Sequence, residues 1–378
     1  MRMFDMSNDS HLFHTAPAAG HLPLYEAKLL HQFTHRWATY EAEAARDLTS
    51  AELADPHTTI TPRYWVAAAD VDARLAQRWD RQWLMGFRDI ARSTDERTAI
   101  FALLPRVAVG NKIPLLFPNG SACQIACLLA VFDSLPFDFV VRQKMGGTTL
   151  NFFILKQLPV LPPSAFSADD IAYIVPRVLE LVYTSWDMQP FAEDVWREAG
   201  SAGKAAGDST MPYGRPNVGA PDDPADPGSG KAGGDSTMPD GRPNVVAPDD
   251  PADPGAGSRT MQALIFTRWK ENHQDTEGTI AEHNETSCSL CLCGAYPMHP
   301  FIWHDERRAH IRAELDARIA KLYGLSRDEL RYILDPADVY GPDFPGETFR
   351  VLKEKETRLY GEYRTRRLVL AAWDAAVE

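Results

Sequence analysis

Three cysteines and two histidines between residues 288 and 304 have the atom types of a zinc site. Cys288, Cys291, Cys293, His299 and His304 follow the spacing C-x2-C-x-C-x5-H-x4-H. Thiolate and imidazole groups are the ligands of tetrahedral zinc sites. A single residue between Cys291 and Cys293 is an unfavourable spacing for two ligands of one ion. The sequence therefore leaves open whether these residues bind zinc or lie in a loop with ordinary thiols, and we assign no metal site.

The chain lacks the short motifs that would mark it as an enzyme. It has no Asp/Asn/Ser-Pro-Pro-aromatic tetrapeptide, the element with which amino-methyltransferases hold a flipped adenine. No glycine-rich turn follows a strand as a Rossmann-like cofactor site requires. Phosphate loops, Gly-x-Ser-x-Gly and His-Glu-x-x-His are also missing from the sequence. We assign no catalytic residue and no cofactor to this chain.

The remaining candidates for a chemical role are cations in the segment 61–160, although their excess charge is equally typical of a solvated face. This segment holds 12 Lys and Arg against 8 Asp and Glu, an excess of four positive charges, although the whole chain has a net charge of −13. Nucleic-acid affinity depends on local basic surface, because counterions are released where phosphates are neutralised. Arginine and lysine also pair with guanine edges in the major groove. The candidate DNA-contacting residues are Arg88, Arg92, Arg97, Arg106, Lys112, Arg142, Lys144, Gly146, Gly147 and Thr148.

The four arginines between residues 88 and 106 have a structural alternative, because three acidic residues lie in the same stretch. Internal ion pairs with Asp89, Asp95 and Glu96 would remove them from a DNA surface, and such pairs are common. Arg142 and Lys144 are stronger candidates for phosphate contacts. The glycine pair that follows them would let a phosphate approach the backbone closely.

The elements that must position these residues alternate strands with helices, which predicts an α+β protein with a mixed α/β domain. Residues 63–66 (RYWV) predict a strand. Val71, Leu75, Trp79 and Trp83 recur every four residues and predict one helix, followed by a second strand.

Two further segments complete the predicted domain. SACQIACLLAVFDS is apolar enough for a buried helix from about Ala122 to Ser134, with Cys123 and Cys127 as small core residues. GGTTLNFFILKQLPVLPP predicts one more strand that stops at prolines.

The C-terminal region is predicted to be helical. Ile311, Leu315, Ile319 and Leu322 form an apolar stripe between residues 303 and 323. SRDELRYIL begins with a Ser-x-x-Glu capping box that starts the next helix.

A tandem repeat separates the two regions. Two copies of 27 residues start at Gly203 and Gly230 and share 23 of 27 positions. Residues 203–258 contain 10 Pro and 11 Gly. A segment with so little apolar surface cannot offset the entropy of ordering, so we predict a disordered linker.

Several long stretches resemble one protein family. GFRDIARSTDERTAIFALLPRVAVGNKIPLLF (86–117) and DFVVRQKMGGTTLNFFILKQLPVLPP (138–163) resemble the target-recognition region of type IIG restriction-modification enzymes and related N6-adenine DNA methyltransferases. The resemblance extends to MSNDSHLF (6–13), to 23–41, to PRYWV (62–66) and to 300–374. It covers nearly the whole chain except the repeat and its margins.

The resemblance implies a division of labour. A methyltransferase domain would bind S-adenosylmethionine and the extruded adenine, and the downstream region would read the sequence of double-stranded DNA. MSNDSHLF-like sequence follows the methyltransferase core in such proteins, so we expect a fragment or a split gene product that is inactive alone. The implied domains are a connecting segment (1–60), a target-recognition domain (61–185), a linker (186–300) and a helical domain (301–378).

Two other functions remain open at this point. An enzyme with an unrecognised site would need a polar cleft with perturbed acids or bases. A docking subunit would use the C-terminal helices to bind a separate methyltransferase or nuclease polypeptide.

Five cysteines, an odd number, do not form a disulfide framework and favour the cytoplasm. No run of about 18 apolar residues predicts a membrane span.

Overall fold

The computed structural model describes residues 1–205, 256–274, 298–344 and 348–375, and it is a mixed α/β structure with small sheets. The strands are β1 His21–Tyr25, β2 Ala38–Glu41, β3 Ala44–Asp47, β4 Trp65–Ala67, β5 Trp83–Phe87, β6 Phe101–Pro105, β7 Ala108–Val109 and β8 Leu115–Leu116. The helices are α1 Ser50–Ala54, α2 Ala68–Leu75, α3 Ala122–Phe132, α4 Leu135–Lys144, α5 Phe152–Leu155, α6 Ala168–Val182, α7 Gln189–Ala205, α8 Ala256–Gln274, α9 Asp305–Leu322, α10 Arg327–Leu334, α11 Ala337–Tyr340, α12 Arg350–Tyr360 and α13 Arg364–Ala375.

The central sheet, in the order β6-β5-β8, is buried on both faces. It is antiparallel throughout, and β5 pairs with β6 from Trp83↔Pro105 to Phe87↔Phe101. Successive side chains of a strand point to opposite faces. Accordingly Trp83 and Phe101 join one hydrophobic core, whereas Leu84 and Leu104 join a second. Burial on both faces explains why these strands appear in the sequence as continuous apolar runs.

Gly86 lets β5 lie close to the chain that leads into β8. A Cβ atom at this position would lie 2.6 Å from Cγ2 of Ile113. A glycine inside a strand typically marks such a close approach. Gly86 therefore fixes the spacing at the middle of the central sheet.

The second core lies under two smaller sheets from the N-terminal part of the chain. In the order β4-β1-β7, β1 is antiparallel to β4 and parallel to β7. β2 and β3 form a hairpin with the register Ala38↔Asp47. The segment 1–60, expected to be a connection, thus contributes three strands to the folded body.

Helix α3 has the extent that the sequence predicts. Its N-cap Ser121 accepts a hydrogen bond from the amide of Gln124, whose side chain caps in return. Cys123 and Cys127 are buried free thiols, 6% and 1% exposed, on a helix that packs against α6 and α7. Burial raises the pKa of the Cys123 thiol to about 12, which leaves it protonated and unreactive.

Two predicted elements are wrong. Helix α2 ends at Leu75, and Trp83 begins strand β5 instead of continuing the helix. Tertiary contacts decide this, because the Trp83 indole donates a hydrogen bond to Asp194 (2.9 Å) and packs edge-on against Phe191. The strand predicted after Gly147 is also absent from the described residues, where an isolated bridge at Thr149 leads into the short helix α5.

The C-terminal helices share cores with the N-terminal part of the chain. Ile311, Leu315 and Ile319 of α9 belong to the same core as α3 and α6. The predicted apolar stripe of α9 is thus buried core and not an exposed binding face. The boundary drawn at residue 301 therefore does not separate two independent hydrophobic cores.

A third core forms where the last helices pack together. Helices α10, α12 and α13 contribute Leu330, Leu352 and Val369, and α4 contributes Leu135. The predicted capping box is present at the start of α10, where Ser326 is the N-cap. Helix α4 therefore joins the C-terminal helices to the rest of the fold.

The predicted linker is narrower than 186–300. Helices α7 and α8 lie within that range and pack against each other, with Phe191, Val195 and Ile265 in the core shared with α3. Residues 206–255, which hold most of the tandem repeat, lie outside the described residues. The boundary drawn at residue 186 therefore cuts through folded chain.

None of the described helices is both long and apolar enough to cross a membrane by itself. Helices α3 and α4 reach the necessary length and hydropathy only as a pair, which is bent by 59°.

Asp316 of α9 gives the fold a pH-dependent contribution to stability. Its Oδ1 accepts a hydrogen bond from the amide of Leu135 (2.7 Å), and burial raises the pKa of its carboxyl to about 6. In the unfolded chain this pKa is about 3.9. The folded state therefore binds the proton more tightly, and the resulting stability is lost as the pH rises from about 4 to about 6.

We expect Asp316→Asn to remove this dependence. The difference in the free energy of unfolding, variant minus wild type, should increase by up to about 3 kcal/mol as the pH rises from about 4 to about 7. Asparagine carries no charge to bury, so only the wild type loses stability over this range. Urea unfolding at several pH values measures it, with Asp72→Asn at an exposed position as control. A difference that falls with pH would contradict the assignment.

Candidate nucleic-acid interface

Three stretches that are distant in sequence lie side by side at one edge of the central sheet. The amide of Asp89 donates to the carbonyl of Lys112 (3.1 Å), and the amide of Ala91 donates to the carbonyl of Thr148 (3.1 Å). The amide of Leu150 donates in turn to the carbonyl of Asp89 (2.7 Å). The backbone thereby brings together three of the segments that carry predicted DNA-contacting residues.

We call the exposed part of these segments the basic face. It consists of Arg92, Lys112, Lys144, Gly146, Gly147 and Thr148, all exposed. The side chains of Arg92 and Lys144 form no ion pair or side-chain hydrogen bond with any residue that the structure describes. These two cations are free to contact a ligand.

Asp89 is a buried carboxylate next to the basic face. Its side chain is fully buried, and Oδ2 lies 3.1 Å from Nη2 of Arg2 and 3.8 Å from Nζ of Lys112. The Lys112 side chain remains 49% exposed, so much of its surface faces solvent. The buried carboxylate orients Lys112 without covering it.

Gly146 and Gly147 leave an open backbone between Lys144 and Thr148. A Cβ atom at either glycine would have no atom within 4 Å. Internal packing therefore does not require glycine at these positions. The space above them is accessible to a ligand that approaches the backbone, as a phosphate does at glycine-rich loops.

Arg97 and Arg142 do not belong to this surface, because both are buried around Asp138. Nε of Arg97 donates to Oδ2 of Asp138 (2.8 Å), and Nε of Arg142 donates to Oδ1 (3.1 Å). The carboxylate also accepts from the amide of Thr98. The partner is thus not one of the acidic residues that lie near Arg97 in sequence.

Arg142 is further occupied by backbone carbonyls. At distances of 2.9 to 3.0 Å, its guanidinium donates to the carbonyls of Ser93, Asp95, Glu96 and Thr348. The prediction of a phosphate contact by Arg142 does not fit this buried position, since its donors already have partners. Arg142 instead shapes the loop that carries Arg92.

Arg88 and Arg106 are half-buried and also face inward. Nε of Arg88 donates to the carbonyl of Leu30 (2.9 Å), and burial lowers the pKa of Arg88 to about 10. Arg106 forms an ion pair with Asp72 (2.9 Å) and donates to two backbone carbonyls. Both arginines hold neighbouring segments together.

Three further exposed residues lie on or next to the segments of the basic face and were not among the predicted DNA-contacting residues. Phe153 is 76% exposed, Ile90 is 48% exposed, and Lys156 is exposed without an ion pair to any described residue. Ile90 bridges to Thr149, and Phe153 lies in the first turn of α5. The two adjacent phenylalanines of LNFF (150–153) are visible in the sequence and indicate that one ring could be exposed. Sequence alone does not tell which of the two rings is buried.

Clefts on the described surface include an acidic one and one next to the basic face. One, of about 400 Å³, is lined by four acidic residues and two arginines, a composition that repels phosphate. The other, of about 490 Å³, borders the loop that carries Arg92. Its lining includes Ser93, Thr94 and the exposed Arg350.

No metal site is found in the part of the chain that the structure describes, where no three His, Cys, Asp or Glu side chains converge. Cys288, Cys291 and Cys293 lie outside the described residues. His299 is exposed and packs edge-on against Trp186 at 5.0 Å.

Asp133, an acid with a strongly shifted pKa, has a structural role. Burial raises the pKa of Asp133 well above its usual range, and its carboxylate accepts hydrogen bonds from the amides of Phe33 (3.2 Å) and Phe101 (2.9 Å). Asp133 is only 3% exposed. A buried carboxylate of this kind has no route to a substrate.

Among known proteins, the chain matches no family model, no curated protein and no solved structure.

Proposed function

We propose that this chain is a double-stranded DNA recognition module that supports adenine N6 methylation performed by another domain or polypeptide. The observation that supports the proposal is the backbone pairing of residues 89–91 with Lys112 and with residues 148–150, which brings together segments that carry or adjoin the exposed cations Arg92, Lys112 and Lys144. The open glycine pair lies among them. S-adenosylmethionine would be bound by the catalytic partner, and this chain would perform no methyl transfer.

The net charge of −13 does not oppose this function. At about 0.1 M salt the Debye length is about 10 Å, so acidic residues farther away are screened. Two carboxylates lie at the basic face. That of Asp89 is buried and paired with Arg2 and Lys112, and that of the exposed Asp95 accepts a hydrogen bond from the amide of Arg92 (3.2 Å). The exposed cations Arg92, Lys112 and Lys144 outnumber these two carboxylates, so the local charge at the face is positive.

The proposal is tested by the salt dependence of binding. Fluorescence anisotropy with random-sequence duplexes should show binding at about 50 mM salt that weakens by about a hundredfold at about 200 mM, as expected when roughly three to four phosphates are neutralised. Selection from a random duplex library then tests sequence preference. Absence of binding at low salt by protein that is folded by circular dichroism would refute the proposal.

A docking function is the second candidate, because the C-terminal helices expose large apolar side chains. Tyr340 is 64% exposed, Leu359 is 58% exposed and Tyr360 is 49% exposed. Exposed apolar surface of this kind is typical of protein interfaces. A pure docking subunit would not bind duplexes at low salt, so the same titration separates the two functions.

A further inference from the structure

Phe153 is the most exposed large hydrophobic side chain among the described residues, at 76%. It is nevertheless held in a fixed position. Asn151 caps α5 by accepting a hydrogen bond from the amide of Ile154 (3.0 Å), and the preceding Phe152 packs edge-on against Phe87 at 5.7 Å. Leu155 on the same turn is buried. The ring of Phe153 therefore projects from an anchored turn into solvent.

Exposed cationic and apolar residues lie close to Phe153 in the chain or across the bridge at Thr149. Lys156 lies three residues along the chain, so it shares the same side of the helical turn. The exposed Ile90 is bridged to Thr149, four residues before Phe153. Lys144 precedes the glycine pair in the same connection. An aromatic ring near unpaired cations matches the chemistry of a nucleic-acid chain, whose bases stack while its phosphates are neutralised.

We propose that Phe153 stacks on a base of the bound duplex and opens the adjoining base step, which unwinds the DNA locally. This inference rests on the proposed DNA-binding function. Apolar side chains that enter a base step unstack it and bend the duplex, and the surrounding contacts offset the cost. The fixed turn of α5 keeps the ring oriented before DNA arrives.

DNA topology tests the inference without knowledge of the recognition sequence. A closed plasmid is relaxed by a topoisomerase in the presence of the protein at low salt, and the topoisomers are resolved after the protein is removed. The wild type should shift the distribution in proportion to the amount bound. Phe153→Ala should give no shift at equal occupancy, with an affinity about fivefold to a hundredfold lower.

Two variants make the result specific. Phe153→Trp retains a stacking ring and should keep the shift, whereas Leu359→Ala removes a similarly exposed apolar side chain from α12 and should leave both binding and shift unchanged. Binding with the same shift in Phe153→Ala would overturn the inference and leave the DNA-binding function standing. Absence of wild-type binding, measured by gel shift in the same samples, would overturn both.

Discussion

Asp138→Asn should lower the free energy of unfolding by about 3–5 kcal/mol, because it removes a carboxylate that neutralises two buried guanidinium groups. Asp138 is fully buried, and its two oxygens lie 2.8 Å from Nε of Arg97 and 3.1 Å from Nε of Arg142. Asparagine has nearly the same shape, so the loss would arise from charge and not from a cavity. Urea unfolding at neutral pH, followed by tryptophan fluorescence, measures the change.

Asp72→Asn is the matched control for this experiment. It also breaks an aspartate–arginine pair, with Arg106 at 2.9 Å, but the Asp72 side chain is 66% exposed. An exposed pair contributes at most about 1 kcal/mol. If the two variants lose similar stability, the network around Asp138 is not the buried ion-pair cluster described above.

Replacing Arg92, Lys112 and Lys144 together by alanine should flatten the salt dependence of DNA binding by about 2.7 in the log–log slope, or about 0.9 for each lost phosphate contact. When the salt is raised from about 50 to about 200 mM, the fold-loss of affinity of the variant should therefore be about 40 times smaller than the fold-loss of affinity of the wild type. Anisotropy titrations with random duplexes at several salt concentrations give both slopes.

The control must change the net charge equally. Lys270→Ala, Arg358→Ala and Arg367→Ala combined also remove three exposed cations and take the net charge from −13 to −16, but none of them lies on the basic face. We expect this variant to keep the wild-type slope. Equal flattening in both variants would mean that overall charge, and not the basic face, determines binding.

The local elements of this fold could be predicted from sequence, because their signals lie within a few residues. The capping box of Ser326 and the apolar helix from Ala122 both have short-range causes and are confirmed. The helix predicted to continue through Trp83 is wrong. The four-residue spacing does not reveal that Trp83 contacts Asp194 and Phe191 from a strand. Those partners are more than a hundred residues away.

The candidate site could be predicted only in part for the same reason. Arg92 and Lys144 are exposed as the prediction requires, and DNA contact by them stays a prediction. Arg97 and Arg142 are buried around the carboxylate at position 138, and the pairing of Arg97 with Asp138 spans 41 residues. Nothing in the composition of either segment distinguishes a cation that faces solvent from one that faces Asp138. The exposure of Phe153 depends similarly on how its neighbour packs against Phe87.

The carbonyl contacts of Arg142 help to hold together the two parts of the chain on either side of the tandem repeat. One guanidinium group joins the loop at residues 93–96 to Thr348, which lies beyond the tandem repeat in sequence. Helix α9 adds Ile311, Leu315 and Ile319 to the core that α3 and α6 also form. Cleavage of the peptide chain within the repeat would therefore leave two fragments that remain associated and melt as one cooperative unit. We expect coexpressed halves divided there to associate through these contacts.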